Sequence, residues 1–256
     1  MSVIRWSETA SPSFVARHAE HDAEGAQTTL ELLEGMREHL LPLLPALPEG
    51  LEVVVHPTAA QLALAQPIVP LLQRVTAPAA RRYVAGWFNR RELHVLAPSV
   101  LEARAGNVPG SREMLAATPA ALYAQLACGS LNPGLAPPFG VRTTAATLRS
   151  LWLSWGAGAW LGGQTAHARP AIARRLREGG EPRFPPGPRD AVVLGGTVFD
   201  LLAREEGPDA AVGLALAPPG NQQHTLERAF RGRSLVHTSG AWRAHLSRAA
   251  DAAARP

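Results

Sequence analysis

Nine histidines and one cysteine, Cys128, are the side chains of this 256-residue chain best suited to bind a metal or move a proton. Their spacing assembles no local site. His18 and His21 stand at i and i+3 near a strand-to-helix junction, while His39, His56, His94, His167, His224, His237 and His245 are scattered, and no HxxxH pair occurs. No acidic cluster accompanies any of them, so packing or surface roles are expected, with His94 as the partial exception. Ser154 lies in S-W-G, without the G-x-S-x-G elbow of a serine hydrolase, and Gly195-Gly196 has no Lys to complete a phosphate loop. Arg81-Arg82, Arg90-Arg91 and Arg174-Arg175 could face phosphates. Because Glu92, Glu178 and Glu181 interleave with them, solvated faces are the expectation.

Charge and composition narrow the classes further. All 25 basic residues are Arg and 21 are acidic, giving a formal charge of +4. The pI near 10.4 reflects the missing Lys rather than a strong positive field, so a nucleic-acid partner is not expected on these grounds. One cysteine cannot form an internal disulfide. No run reaches the roughly 18 apolar residues of a membrane span, and Met1 to Ser13 carries no apolar stretch of signal-peptide length, so cytoplasmic residence is the expectation.

The elements that must position these residues follow from periodicity. Ser13 to His18 alternates as a strand; a helix opened by Asp22 places Leu30, Leu33, Leu40 and Leu44 at helical spacing until Pro42, Pro45 and Pro48 close it. Leu51 to His56 is a β-branched strand, and Thr58 with Gln61 forms a capping box for a brief helix ended by Pro67. Arg82 to Phe88 and Glu92 to Leu96 flank Asn89-Arg90-Arg91 as a hairpin. Thr118-Pro119 reads as a helix start, Ala120 to Cys128 as a helix ended at Gly129, and Gly129 to Gly140 as a loop. Helices are expected near Ala146 to Leu161, Ala166 to Arg177, Arg189 to Arg204, Asp209 to Leu216 and Gly240 to Ala254. The fold class is therefore α+β, with an N-terminal mixed α+β part over 1–128 and a C-terminal helical part over 129–256. A site would sit in the cleft between them.

Two helical segments carry a family resemblance. Leu122 to Cys128 (LYAQLAC) and Leu151 to Trp160 (LWLSWGAGAW) resemble the paired motifs of gluzincin-type, thermolysin-like metallopeptidases of the peptidase MA fold, HExxH followed by a WLSEGLAEY-like helix. The resemblance spans nearly the whole chain, from an N-terminal strand and long helix, through an edge strand, to a tail containing AWRAHL. It implies a zincin-like (thermolysin-like) architecture. In such proteins two His at i and i+4 bind zinc, a Glu activates the metal-bound water, and a Glu on the next helix completes the ligand set.

Here those positions have changed chemistry. Ala124 stands at the first His, Gln125 at the general base, Cys128 at the second His and Trp155 at the third ligand. Ala has no donor atom, Trp offers only an indole N–H, and Gln takes up no proton at neutral pH. A register one residue earlier, Tyr123 to Ala127, likewise supplies neither His nor Glu. Trp152-Leu153-Ser154 and Gly156 match the second motif around the substituted position, and Ala191 to Asp200 offers no Tyr or His. The resemblance thus implies a degenerate member with no zinc, no cofactor and no peptidase activity, retained to bind an unknown protein or peptide through its cleft. Trp155 and Trp160 read as core or cleft filler. The strand around Glu92 to Leu96, bearing His94, reads as an edge able to pair with an extended peptide. Two alternatives remain: a hydrolase with a metal site rebuilt from Cys128, His94 and another His, and nucleic-acid binding through the Arg pairs.

Overall fold

Period-two burial builds one sheet from the N-terminal segments. The computed structural model describes residues 5–132, 135, 144–218 and 220–253, with 144–147 as helix backbone. Strands β1 (Trp6–Ala10), β2 (Phe14–Ala19), β3 (Leu51–His56), β4 (Gly86–Phe88) and β5 (Glu92–Leu96) form a mixed sheet in the order β1-β2-β3-β5-β4. β2, β3 and β5 are mutually parallel, and β1 and β4 run antiparallel to their neighbours at the two edges. Helix α1 (Ala23–Leu40) makes the crossover from β2 to β3, burying Ala26, Leu30, Leu33, Met36 and Leu40 on one face, as its periodicity predicts. The short helices α2 (Ala59–Ala65) and α3 (Ile68–Val75) lead to β4, and α4 (Pro98–Arg104) and α5 (Ser111–Ala116) follow β5.

Helix α6 (Thr118–Leu131) packs against α1, β4 and β5 on one side and against α7 (Thr144–Leu161) on the other. Every residue from Thr118 to Gly129 is buried, so α6 is apolar all round rather than amphipathic. The remaining helices are α8 (Arg169–Arg177), α9 (Ala191–Glu206), α10 (Pro208–Ala215), α11 (Gln222–Ala229) and α12 (Leu235–Ala253). The protein is thus α+β, and among the described residues no helix is long and apolar enough to cross a membrane.

Several expectations are corrected. β1 carries no sequence signal, because as an edge strand its five residues alternate only between exposed and half-buried. The first strand of the hairpin shortens to Gly86–Phe88, since Arg81–Tyr83 coils into a 3-10 turn. The hairpin itself forms: Asn89 Oδ1 accepts from the backbone N–H groups of Arg91 and Glu92, the side-chain turn that Asn favours. α3, which the sequence did not suggest, forms after Pro67, because Pro67 and Pro70 both lie at its start, where the missing N–H groups cost nothing. The Thr58 cap is made, but Gln61 Oε1 has no partner among the described residues, so the reciprocal half of the box is not.

The helix α6 also departs from its expected ends. Thr118 is its first residue rather than its cap, and its hydroxyl accepts from Gln164 Nε2. The helix passes through the buried Gly129 and stops at Asn132, whose side-chain amide donates to the Ala217 carbonyl at 2.8 Å. Packing on all sides overrides the cost of a helical glycine, about 1 kcal/mol. Most of the expected Gly129 to Gly140 loop lies outside the described residues, as does the end of the last helix at Ala254.

Candidate functional site

The helix pair α6/α7 brings the resembling motifs together. Their approach depends on small residues: a Cβ on Gly158 would stand 2.5 Å from the Ala121 carbonyl oxygen and 2.9 Å from Gln125 Cβ. On the other side of α7, a Cβ on Gly156 would stand 2.6 Å from the Gly195 carbonyl of α9. The W-G-A-G stretch is therefore what lets α7 press against two helices at once.

At this contact Gln125 Nε2 donates to Ser154 Oγ at 2.7 Å, and both groups are buried. The next residue, Trp155, is also buried and meets Trp87 of β4 edge-to-face, with ring centroids 6.1 Å apart. Tyr83, Leu122, Gln125, Trp155 and Gln164 border the space that remains, a cavity of about 10 Å³, room for about one water. Ala124 is fully buried and presents only a methyl group. Cys128, 1% exposed, has its thiol pushed up to about 12 by burial, so it is a protonated core side chain rather than a ready thiolate.

Trp160 lies elsewhere. Five residues along a helix turn it well away from Trp155, and it stacks on Phe199 of α9 at 6.2 Å. His94 is likewise separated from Cys128. Alternation in β5 directs Leu93 and Val95 to the face where α6 packs, as Gly86 beneath Leu122 and the Phe14–Tyr123 ring contact show, and turns His94 to the opposite face. There His94 Nδ1 lies 3.0 Å from His56 Nε2, and His94 Nε2 lies 3.4 Å from Glu92 Oε2. A metal site joining Cys128 with His94 is not formed, and among the described residues no group of three or more His, Cys, Asp or Glu is placed to hold a metal ion.

The strand bearing His94 is not an edge. β5 pairs with β3 on one side and β4 on the other, because the tight hairpin folds β4 back outside it, so β5 has no free ladder for a peptide.

The structure also pairs several titratable groups that the sequence left without partners. The His56–His94–Glu92 chain joins two strands 38 residues apart in sequence, a pairing that only the sheet register creates. His245 in α12 meets Asp200 in α9 at 3.1 Å. Arg175, expected on a solvated face, is 3% exposed and grips Asp190 through Nε and Nη2. Local spacing carried no signal for these long-range partners; the one hint was Glu92 two residues before His94.

No family model, curated protein or solved structure matches this chain.

Proposed function

We propose that this protein is a catalytically inactive, zincin-like relative of the gluzincin metallopeptidases, kept for binding or scaffolding a protein or peptide partner. The order of elements supports the architecture: strand, long helix, parallel strand and a hairpin, then the all-buried α6 and, after a connection, α7. The observation that carries the reading is the Gln125–Ser154 hydrogen bond beside Trp155 and Trp87. An amide stands where a base would stand, and an indole fills where a third ligand would enter.

A space of about 10 Å³ cannot take a peptide, so in this reading recognition falls to the outer surface of the fold rather than to the interior of the cleft. The division into a 1–128 part and a 129–256 part belongs to the same proposal, with α6 as the element shared by both.

The test is restoration. Ala124→His, Gln125→Glu, Cys128→His and Trp155→Glu, installed together, should give a folded protein that gains stoichiometric zinc, while the unmodified protein loses any zinc on dialysis. A folded quadruple variant without metal affinity overturns the residue assignment. Stoichiometric zinc retained by the unmodified protein through dialysis overturns the inactive reading in favour of a rebuilt metal site.

A further inference from the structure

A second concavity, sharing no residue with the cavity at Gln125, opens between α8, α9 and α12 with a volume of about 380 Å³. Three guanidiniums line it, one from each helix: Arg169, Arg204 and Arg248. One carboxylate faces them. Asp200 Oδ2 accepts from Arg204 Nε and from His245 Nε2, both at 3.1 Å. That carboxyl stays below its ordinary range, chiefly through the hydrogen bond from His245, so the acid is already committed to two donors.

Arg169 and Arg248 are exposed and make no ion pair among the described residues, which leaves an excess of positive charge around a concave wall. Two guanidiniums at one cavity without an ion pair among the described residues are donors in search of acceptors.

We propose that this cavity binds the phosphoryl group of a small phosphate monoester. Guanidinium forks match phosphate oxygens in pairs, and three of them on three separate helices suit a group with three terminal oxygens and close to two negative charges. A monocarboxylate offers two oxygens and one charge, too little to engage all three arginines. The volume lies within the range of small-molecule sites, roughly 300–1,000 Å³. The site shares no residue with α6 or α7, whose motifs carry the metallopeptidase reading, so it stands or falls apart from that reading.

Isothermal titration of the full chain at low ionic strength tests it, with glycerol 3-phosphate, inorganic phosphate and acetate as probes. Saturable binding of glycerol 3-phosphate is expected, with acetate at least tenfold weaker. Arg169→Gln and Arg248→Gln should each weaken glycerol 3-phosphate about tenfold, the loss of one charge-assisted contact. Both side chains are exposed and make no ion pair among the described residues, so both variants should melt like the unmodified protein. Absence of saturable binding, equal affinity for acetate, or affinity unchanged in both variants overturns the proposal. Binding of inorganic phosphate without glycerol 3-phosphate also overturns it, assigning the pocket to a free anion.

Discussion

His56 and His94 share a hydrogen bond across the parallel strands β3 and β5, Nε2 to Nδ1 at 3.0 Å, with the rings stacked at 18°. The side-chain amide of Asn89 holds the Glu92 carboxyl below its ordinary range, so Glu92 is a carboxylate and His94 Nε2 carries the proton directed at it. His94 Nδ1 is then an acceptor, His56 Nε2 must be the donor, and His56 Nδ1 is left buried without a partner among the described residues. One chain of three groups fixes both tautomers.

Acid should therefore destabilise the fold through this pair before most carboxylates titrate. Burial lowers His94, and burial together with the charge of His94 brings His56 from 6.5 down to about 4. A depressed folded-state value means that the unfolded chain binds the proton more readily. Stability is thus full above about 6.5 and is lost as the pH falls from there towards about 4. Denaturant unfolding at a series of pH values should show this decline, and His56→Gln should flatten it. An unchanged slope in the variant would refute the assignment.

Gly158→Ala should be costly where another helical glycine is not. The new methyl would meet the Ala121 carbonyl and Gln125 Cβ and force α6 from α7, at a cost of about 1–3 kcal/mol. Gly213→Ala in α10 meets nothing within 4 Å and should stabilise by about 0.5–1 kcal/mol. Equal denaturation midpoints for the two variants would show that α6 and α7 do not touch there.

The Arg175–Asp190 pair is buried on both sides, at 3% and 7% side-chain exposure. Removing one partner strands a charge, so Asp190→Leu alone or Arg175→Met alone should cost about 3–5 kcal/mol, whereas the two together should recover much of it. The comparison is of unfolding free energies in a double-mutant cycle. Additive losses would argue against the pairing.

Cys128 should resist alkylation in the native protein. Its thiol is buried and shifted up to about 12, so iodoacetamide at mildly alkaline pH should label it only in denaturant, at the rate of global unfolding. Rapid native labelling, read by mass, would place Cys128 at an open site.

Trp155→Ala should reopen the space against Trp87 at a cost of about 3–5 kcal/mol, measured by denaturation, with a loss of the coupled near-ultraviolet signal of the two indoles. A neutral substitution would mean that Trp155 is not cleft filler.

What the sequence determined by itself is local. The apolar spacing of Leu30, Leu33 and Leu40 set the buried face of α1; the branched run Leu51 to His56 set β3; and Asn89 set the hairpin. Each signal acts within one or two turns of chain, where periodicity and turn chemistry operate. The α+β class was legible for the same reason, whereas the pairing of the two motif helices was expected only from the family resemblance. Tertiary structure decided what lies between elements: β4 rather than β5 at the edge, His94 facing His56 rather than Cys128, Trp160 turned to Phe199, and Arg175 drawn inward by Asp190. These depend on strand order, sheet face and helix rotation, which join residues far apart in sequence, and burial then sets the protonation of groups such as Cys128 and His56.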